Sequence, residues 1–230
     1  MTALVGPGPR PDLRLFRPPG VYRAQSDSAV LAEVIRRGGH ASGRHVLDVG
    51  TGSGALALAA SRAGAASVTA VDLSLRSVLA TRVNCALHGA RVAVRRGDLF
   101  APVAGRRFDL VVANPPYVPA ETDDLPRHRS ARCWDGGVDG RLVVDRICAA
   151  VADHLSADGV LLMVHSAVSG PGATVERLAA AGMTASVVLR TSVPYGPVMR
   201  ERAALLERRG LAAPGESVEE LVVVEARRAR

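Results

Sequence analysis

The apolar residues of this chain fall into two kinds of run that alternate. Between 28 and 37 they stand at Ala29, Val30, Leu31, Val34 and Ile35, which is helical spacing, and Gly38-Gly39 ends it. Residues 45–49 form a short apolar run that ends in Asp48 and a cluster of glycines, which predicts a buried strand. The alternation continues with a small-residue helix over 55–63, a strand over 67–71 closed by Asp72, a helix over 75–87 and a strand over 91–95 before Gly97-Asp98. A fourth strand over 108–113 runs into Asn114-Pro115-Pro116-Tyr117, followed by a loop over 118–137 rich in Pro, Asp and Arg. A long helix is predicted over 140–155, a strand over 160–165 and a helix over 174–181. Strands over 183–189 and 221–224 bracket a helix over 199–209.

This order is that of right-handed βαβ units, so it predicts an α/β fold: a mostly parallel seven-stranded sheet with helices on both faces. The last two strands lack a crossover helix packed back between them, which predicts an antiparallel terminal pair. Residues 1–20, rich in Pro, Gly and Arg, read as an N-terminal arm, and 21–230 as one domain.

Composition narrows the classes. The chain has 230 residues, 48% of them hydrophobic, enough to bury a core without disulfides. Only 3% are aromatic, which argues against a stacking platform for single-stranded nucleic acid. No apolar run reaches membrane-span length, and residues 1–19 lack the apolar centre of a secretory signal. Cys85, Cys133 and Cys148 are odd in number and widely spaced, which points to reduced thiols in the cytoplasm and no metal site. The net charge is +7 and every basic residue other than His is Arg, scattered in pairs such as Arg36-Arg37 and Arg95-Arg96, the pattern of a solvated surface, with a nucleic-acid face as the alternative.

The candidate chemistry begins at Asp48-Val49-Gly50-Thr51-Gly52-Ser53-Gly54. Glycines let the backbone turn off a strand and approach a ligand closely. Asp72, at the end of the next strand, is placed to accept both hydroxyls of a ribose. Two further acids favour S-adenosylmethionine over a nicotinamide dinucleotide. Asp48 can hold an amino group, and Asp98 ends the third strand where an adenine amine would lie. A cap or turn role is the competing reading for Asp72 and Asp98.

The Asn114-Pro115-Pro116-Tyr117 corner is more specific. Two prolines restrict the backbone, so the corner is rigid. The Asn114 carbonyl and the Pro115 backbone carbonyl can accept both hydrogens of a substrate NH₂ group, while Tyr117 covers a planar amide or base. An amide nitrogen is a poor nucleophile because its lone pair is delocalised. Two acceptors on its protons return density to nitrogen, so catalysis is placement and electrostatics.

On these residues the chain resembles the class I S-adenosylmethionine-dependent methyltransferases, which have a Rossmann-like sheet. Over residues 20–228 it is similar to the HemK-type N5-glutamine methyltransferases that act on peptide-chain release factors, in the shorter branch without an N-terminal helical domain. Val21-Tyr22-Arg23-Ala24-Gln25-Ser26-Asp27-Ser28 and the loop Trp134-Asp135-Gly136-Gly137-Val138-Asp139-Gly140-Arg141 carry the rest of the likeness. The resemblance implies that Tyr22, Asp27, Asp48, Gly50, Gly52, Asp72, Asp98 and Asn114 surround S-adenosylmethionine, with Asp27 near its methionine end. Asn114, Pro115 and Tyr117 would grip the accepting amide. It also implies a release factor-like protein substrate and a small zinc-containing activator protein. An adenine or guanine of RNA or DNA, or a small natural product, stays open as the acceptor, because the same corner serves those nitrogens. Arg23 and Gln25 stand where the branch has Glu-Pro and Glu, which leaves open a non-catalytic binding protein of the same fold.

Four further features are read more plainly. The six histidines show no metal-binding spacing, and His165 alone ends a strand near the cofactor side. Arg127, Arg129 and Arg132 read as a solvated loop or a contact for an acidic partner or RNA. Trp134 lines a substrate mouth or anchors its loop. Tyr195-Gly196-Pro197 and the helix after it are expected over one end of the sheet.

Overall fold

In the computed structural model, which describes residues 14–124 and 133–228, seven strands form one sheet in the order β3-β2-β1-β4-β5-β7-β6. The elements along the chain are α1 (Ser26–Arg37), β1 (His45–Val49), α2 (Ala55–Arg62), β2 (Ser67–Asp72), α3 (Leu75–Leu87), β3 (Val92–Arg96) and β4 (Phe108–Ala113). They continue with α4 (Leu142–Ala150), β5 (Leu155–Ser166), α5 (Pro171–Ala180), β6 (Met183–Pro194), α6 (Pro197–Arg208) and β7 (Val218–Arg228). The first five strands pair in parallel, and β7 lies antiparallel between β5 and β6. The expected sheet and its antiparallel pair are both present.

The two-residue period of the strands sorts the core. Leu47, Val49, Val111 and Met163 pack on one face with Val144 and Ile147 of α4 and Leu178 of α5. Val46, Leu110, Val112 and Leu162 pack on the other with Leu31 and Ile35 of α1 and Leu56 and Ala60 of α2. Covering both faces explains why the central strands are continuously apolar.

Several boundaries differ from the sequence reading, three of them at length. The helix expected over 140–155 ends at Ala150, and a 3-10 turn at Val151–His154 delivers Leu155 into β5, where it pairs with Phe108. β6 runs to Pro194, past its apolar stretch, because β7 pairs with it through Pro194↔Val218 at the sheet edge. β7 runs from Val218 to Arg228, around the apolar centre at 221–224. The part of the expected arm that is described docks onto α3: Asn84 Oδ1 accepts from Phe16 N at 2.6 Å, and Asn84 Nδ2 donates to Phe16 O and Ser53 O. Among the described residues no helix is long and apolar enough to cross a membrane.

Candidate active site at the Asn114–Tyr117 corner

The carboxyl ends of β1, β2 and β4 bring the glycine turn, Asp72 and the proline corner to one edge of the sheet. Gly50 and Gly52 adopt φ of 74° and 57°, a region that only glycine enters freely, and the Val71 carbonyl anchors the turn through Gly50 N and Thr51 N. A Cβ on Gly50 would meet nothing within 4 Å, and one on Gly52 would meet only Tyr22 Cβ at 3.8 Å. The turn is therefore an open cradle.

Asp48 is fully buried beneath that cradle. Its Oδ2 accepts from Thr51 Oγ1 at 2.6 Å and from Ala57 N at 2.9 Å, while Oδ1 is buried without a partner. Burial pushes its carboxyl up to about 7. An orphaned buried oxygen is a place prepared for a donor. Asp72 accepts from Gly52 N and Ser74 N, both at 2.8 Å, which aims its carboxylate along the turn. Burial raises its pKa as well. An amino group at Asp48 and a ribose at Asp72 thus match the donor set of S-adenosylmethionine.

Asp27 lies in the first turn of α1 and is buried. Its Oδ2 accepts from Tyr22 Oη at 2.5 Å and from Tyr117 Oη at 3.3 Å, and its Oδ1 from Ser28 N. This one carboxylate joins the segment before α1 to the corner after β4. Burial and the neighbouring Asp27 charge push both phenols well above their usual range, so they stay protonated donors.

Asn114 is half-buried, and its Nδ2 donates to Ser28 Oγ at 3.1 Å, leaving Oδ1 without a protein partner among the described residues. Pro115 and Tyr117 are buried beside it. The loop that follows braces this corner. Val118 N donates to Trp134 O, Gly136 N to Val118 O, and Ser169 Oγ to Tyr117 O at 2.7 Å. Gly140, at φ 75°, lies so close that a Cβ would stand 2.3 Å from the Tyr117 carbonyl oxygen. Arg141 then ties the loop to the start of α5 through Ser169 O, Gly170 O and Thr174 Oγ1. The Gly-Gly-x-x-Gly-Arg signature is therefore a brace for the corner.

A cleft opens here, lined by Tyr22, Asp27, Asn114 to Val118, Trp134 and residues from the start of α6. The expected cover at that end of the sheet is Gly196, Val198 and Met199, pinned through the Arg202–Asp135 ion pair at 3.0 Å.

The remaining candidates divide. Asp98 is half-exposed and ion-paired with Arg146, so any adenine contact would compete with that pair. His165 is buried, with Nδ1 against Ser166 O and its pKa pushed down to about 4 by burial, and it does not line the cleft. Arg127, Arg129 and Arg132 lie outside the described residues. Ser28, Asn84 and Glu219 escaped the sequence reading. Ser28 and Asn84 act through pairings 86 and 68 residues away, and Glu219 sits in an ordinary strand pattern.

Comparison with known proteins places the chain in a family. Residues 12–127 match the family model of the methyltransferase small domain. The chain belongs to the methyltransferase small domain family. The "putative protein N5-glutamine methyltransferase" of Methanocaldococcus jannaschii is 28% identical over 187 residues, covering 81% of this chain and 93% of that one. The "release factor glutamine methyltransferase" of Geobacter sulfurreducens is 36% identical over 152 residues, covering 63% of this chain. This family member spans only 53% of that bacterial relative's length. Among solved structures, the E. cuniculi Mtq2–Trm112 complex, described as responsible for methylation of the eRF1 termination factor, matches with a TM-score of 0.64 at 22% identity. It covers 91% of this chain and 99% of that one, and it shares the fold. The seven-stranded Rossmann-like sheet is that of the class I methyltransferases.

Proposed function

We propose that this protein is a cytoplasmic N-methyltransferase that modifies the side-chain amide of a glutamine in a protein, a release factor foremost. The observation that carries the reading is the free Asn114 Oδ1 at a rigid corner, on the same sheet edge as the glycine cradle and the orphaned Asp48 oxygen. S-adenosylmethionine, when bound, supplies an electrophilic methyl on a positively charged sulfur. Asp48 would hold its amino group and Asp72 its ribose, with Tyr22 and Asp27 closing over the turn. Asn114 Oδ1 and the Pro115 carbonyl would take the two amide hydrogens and so orient the nitrogen lone pair. The braced corner keeps these two acceptors still, so no reorganisation is needed at the reacting nitrogen.

The test is methyl transfer from labelled S-adenosylmethionine into purified release factor, RNA and DNA, side by side, with the site mapped by mass spectrometry. Methylglutamine in the release factor is expected. Asn114→Ala should lower kcat by roughly 100-fold while leaving S-adenosylmethionine binding measurable by calorimetry. Label in RNA or DNA instead would move the acceptor to a nucleobase, and absence of S-adenosylmethionine binding would overturn the reading.

The zinc-containing activator suggested by the resemblance has a candidate seat. Leu75, Leu79, Val83 and Leu87 form an exposed apolar stripe along α3, beside the edge strand β3.

A further inference from the structure

The lining of the cleft has a second side. The end of β6, the start of α6 and the start of β7 contribute Val193, Pro194, Val198, Met199 and Glu219, and Glu219 is the charged group among them. It is 7% exposed, and its Oε1 is buried without a hydrogen-bond partner. A buried carboxylate oxygen left unpaired is destabilising, so its place in the lining of the cleft calls for a use. Asp27, the other carboxylate of the cleft, has no spare role: its oxygens already accept from Tyr22, Tyr117 and Ser28.

The proposed reaction has a proton to dispose of. When the amide nitrogen forms its bond to the methyl carbon, the carbon–sulfur bond breaks and its electron pair stays on sulfur. The nitrogen is left positively charged, with one hydrogen too many. Asn114 and Pro115 can accept hydrogen bonds there, but neither an amide nor a peptide carbonyl takes up a proton near neutral pH.

We propose that Glu219 is a catalytic residue of this site, its free carboxylate oxygen receiving the proton shed by the methylated nitrogen and passing it to solvent through the cleft. The inference rests on the amide-methylating reading above. Burial first, and then the Asp27 charge, push the Glu219 carboxyl up to about 7, partly offset by the Ser166 hydroxyl. A group that titrates near the working pH is an effective proton acceptor. The groups that face it are Asp27 from α1, Ser166 at the end of β5, and the phenols of Tyr22, Tyr117 and Tyr195, which stay protonated through that range. Asp48 titrates in the same window but lies beneath the glycine cradle, outside the cleft lining.

Two measurements test this. The first needs no turnover. Carbon-13 NMR of the glutamate-labelled protein should show one side-chain carboxyl titrating near neutrality that is missing from Glu219→Gln. The second is the pH profile of single-turnover methylation. In the native protein the rate should rise through neutral pH. In Glu219→Gln that rise should vanish and kcat should fall roughly 10–100-fold, with S-adenosylmethionine affinity by calorimetry unchanged. Glu219→Asp should recover part of the rate and the pH dependence. The proposal is overturned if no glutamate titrates near neutrality, or if Glu219→Gln methylates with native rate and pH profile. Those results leave the amide-methylating reading intact, whereas failure of the native protein to methylate any acceptor removes both.

Discussion

At the scale of single residues, Asp48 carries a cost in stability. Asp48 holds a buried, half-satisfied carboxylate whose proton is released only near pH 7 in the folded chain, against 3.8 ordinarily. When the pH rises from about 4 to 7, the unfolded chain gives up this proton before the folded chain does, so stability falls across that window. Asp48→Asn removes the dependence. In urea melts the unliganded variant should gain on the order of 2 kcal/mol at neutral pH and little at about pH 4. The same change should weaken S-adenosylmethionine at least roughly tenfold by calorimetry, because an amide cannot pair with an ammonium as a carboxylate does. A variant that is neither more stable at neutral pH nor weaker for the ligand would contradict this assignment.

Among the elements, the loop before α4 matters most to the corner. It reaches back to pair Val118 with Asp135 and leaves Gly140 against the Tyr117 carbonyl. Gly140→Ala must accommodate both a left-handed backbone and an overlap with a fixed peptide oxygen. We expect a loss of about 2–3 kcal/mol in chemical denaturation and a drop in kcat larger than any change in S-adenosylmethionine affinity. Gly39→Ala, at φ 60° with open space around it, is the control, because it bears the backbone penalty alone. Equal losses in the two variants would show that the close approach at Tyr117 is unimportant.

For the chain in its complexes, the stripe on α3 is the feature to probe. Leu87 is 68% exposed, and Leu75 and Leu79 are about half exposed, on a helix that flanks an unpaired strand edge. If a small zinc-binding protein covers this surface, it should co-purify from the native host with the intact chain and be lost from Leu79→Glu/Leu87→Glu. Zinc content and mass spectrometry of the captured species check this. Recovery with both forms would move the contact elsewhere.

Most of the sheet was legible in the chain. Apolar runs ending in acid, glycine or asparagine mark buried parallel strands, because such strands must be apolar on both faces and polar where they emerge. That pattern located β1 and β4 to the residue and helical spacing located α3, and the strand ends mark Asp48, Gly50, Gly52, Asp72 and the Asn114–Tyr117 corner as candidates. Local patterns stop being informative where contacts are distant. The docking of Asn114 on Ser28, the bridging of Tyr22 and Tyr117 by Asp27, and the bracing of the corner by Gly140 join segments that local periodicity treats as unrelated. Glu219 is the sharpest case. Its strand pattern is ordinary, and only the packing of β7 between β5 and β6 places its carboxylate in the cleft with one oxygen lacking a partner. Periodicity reports how each segment meets the core. Which charges are stripped of water and left facing one another is decided by tertiary packing, because desolvation belongs to the assembled surface and not to any stretch of chain.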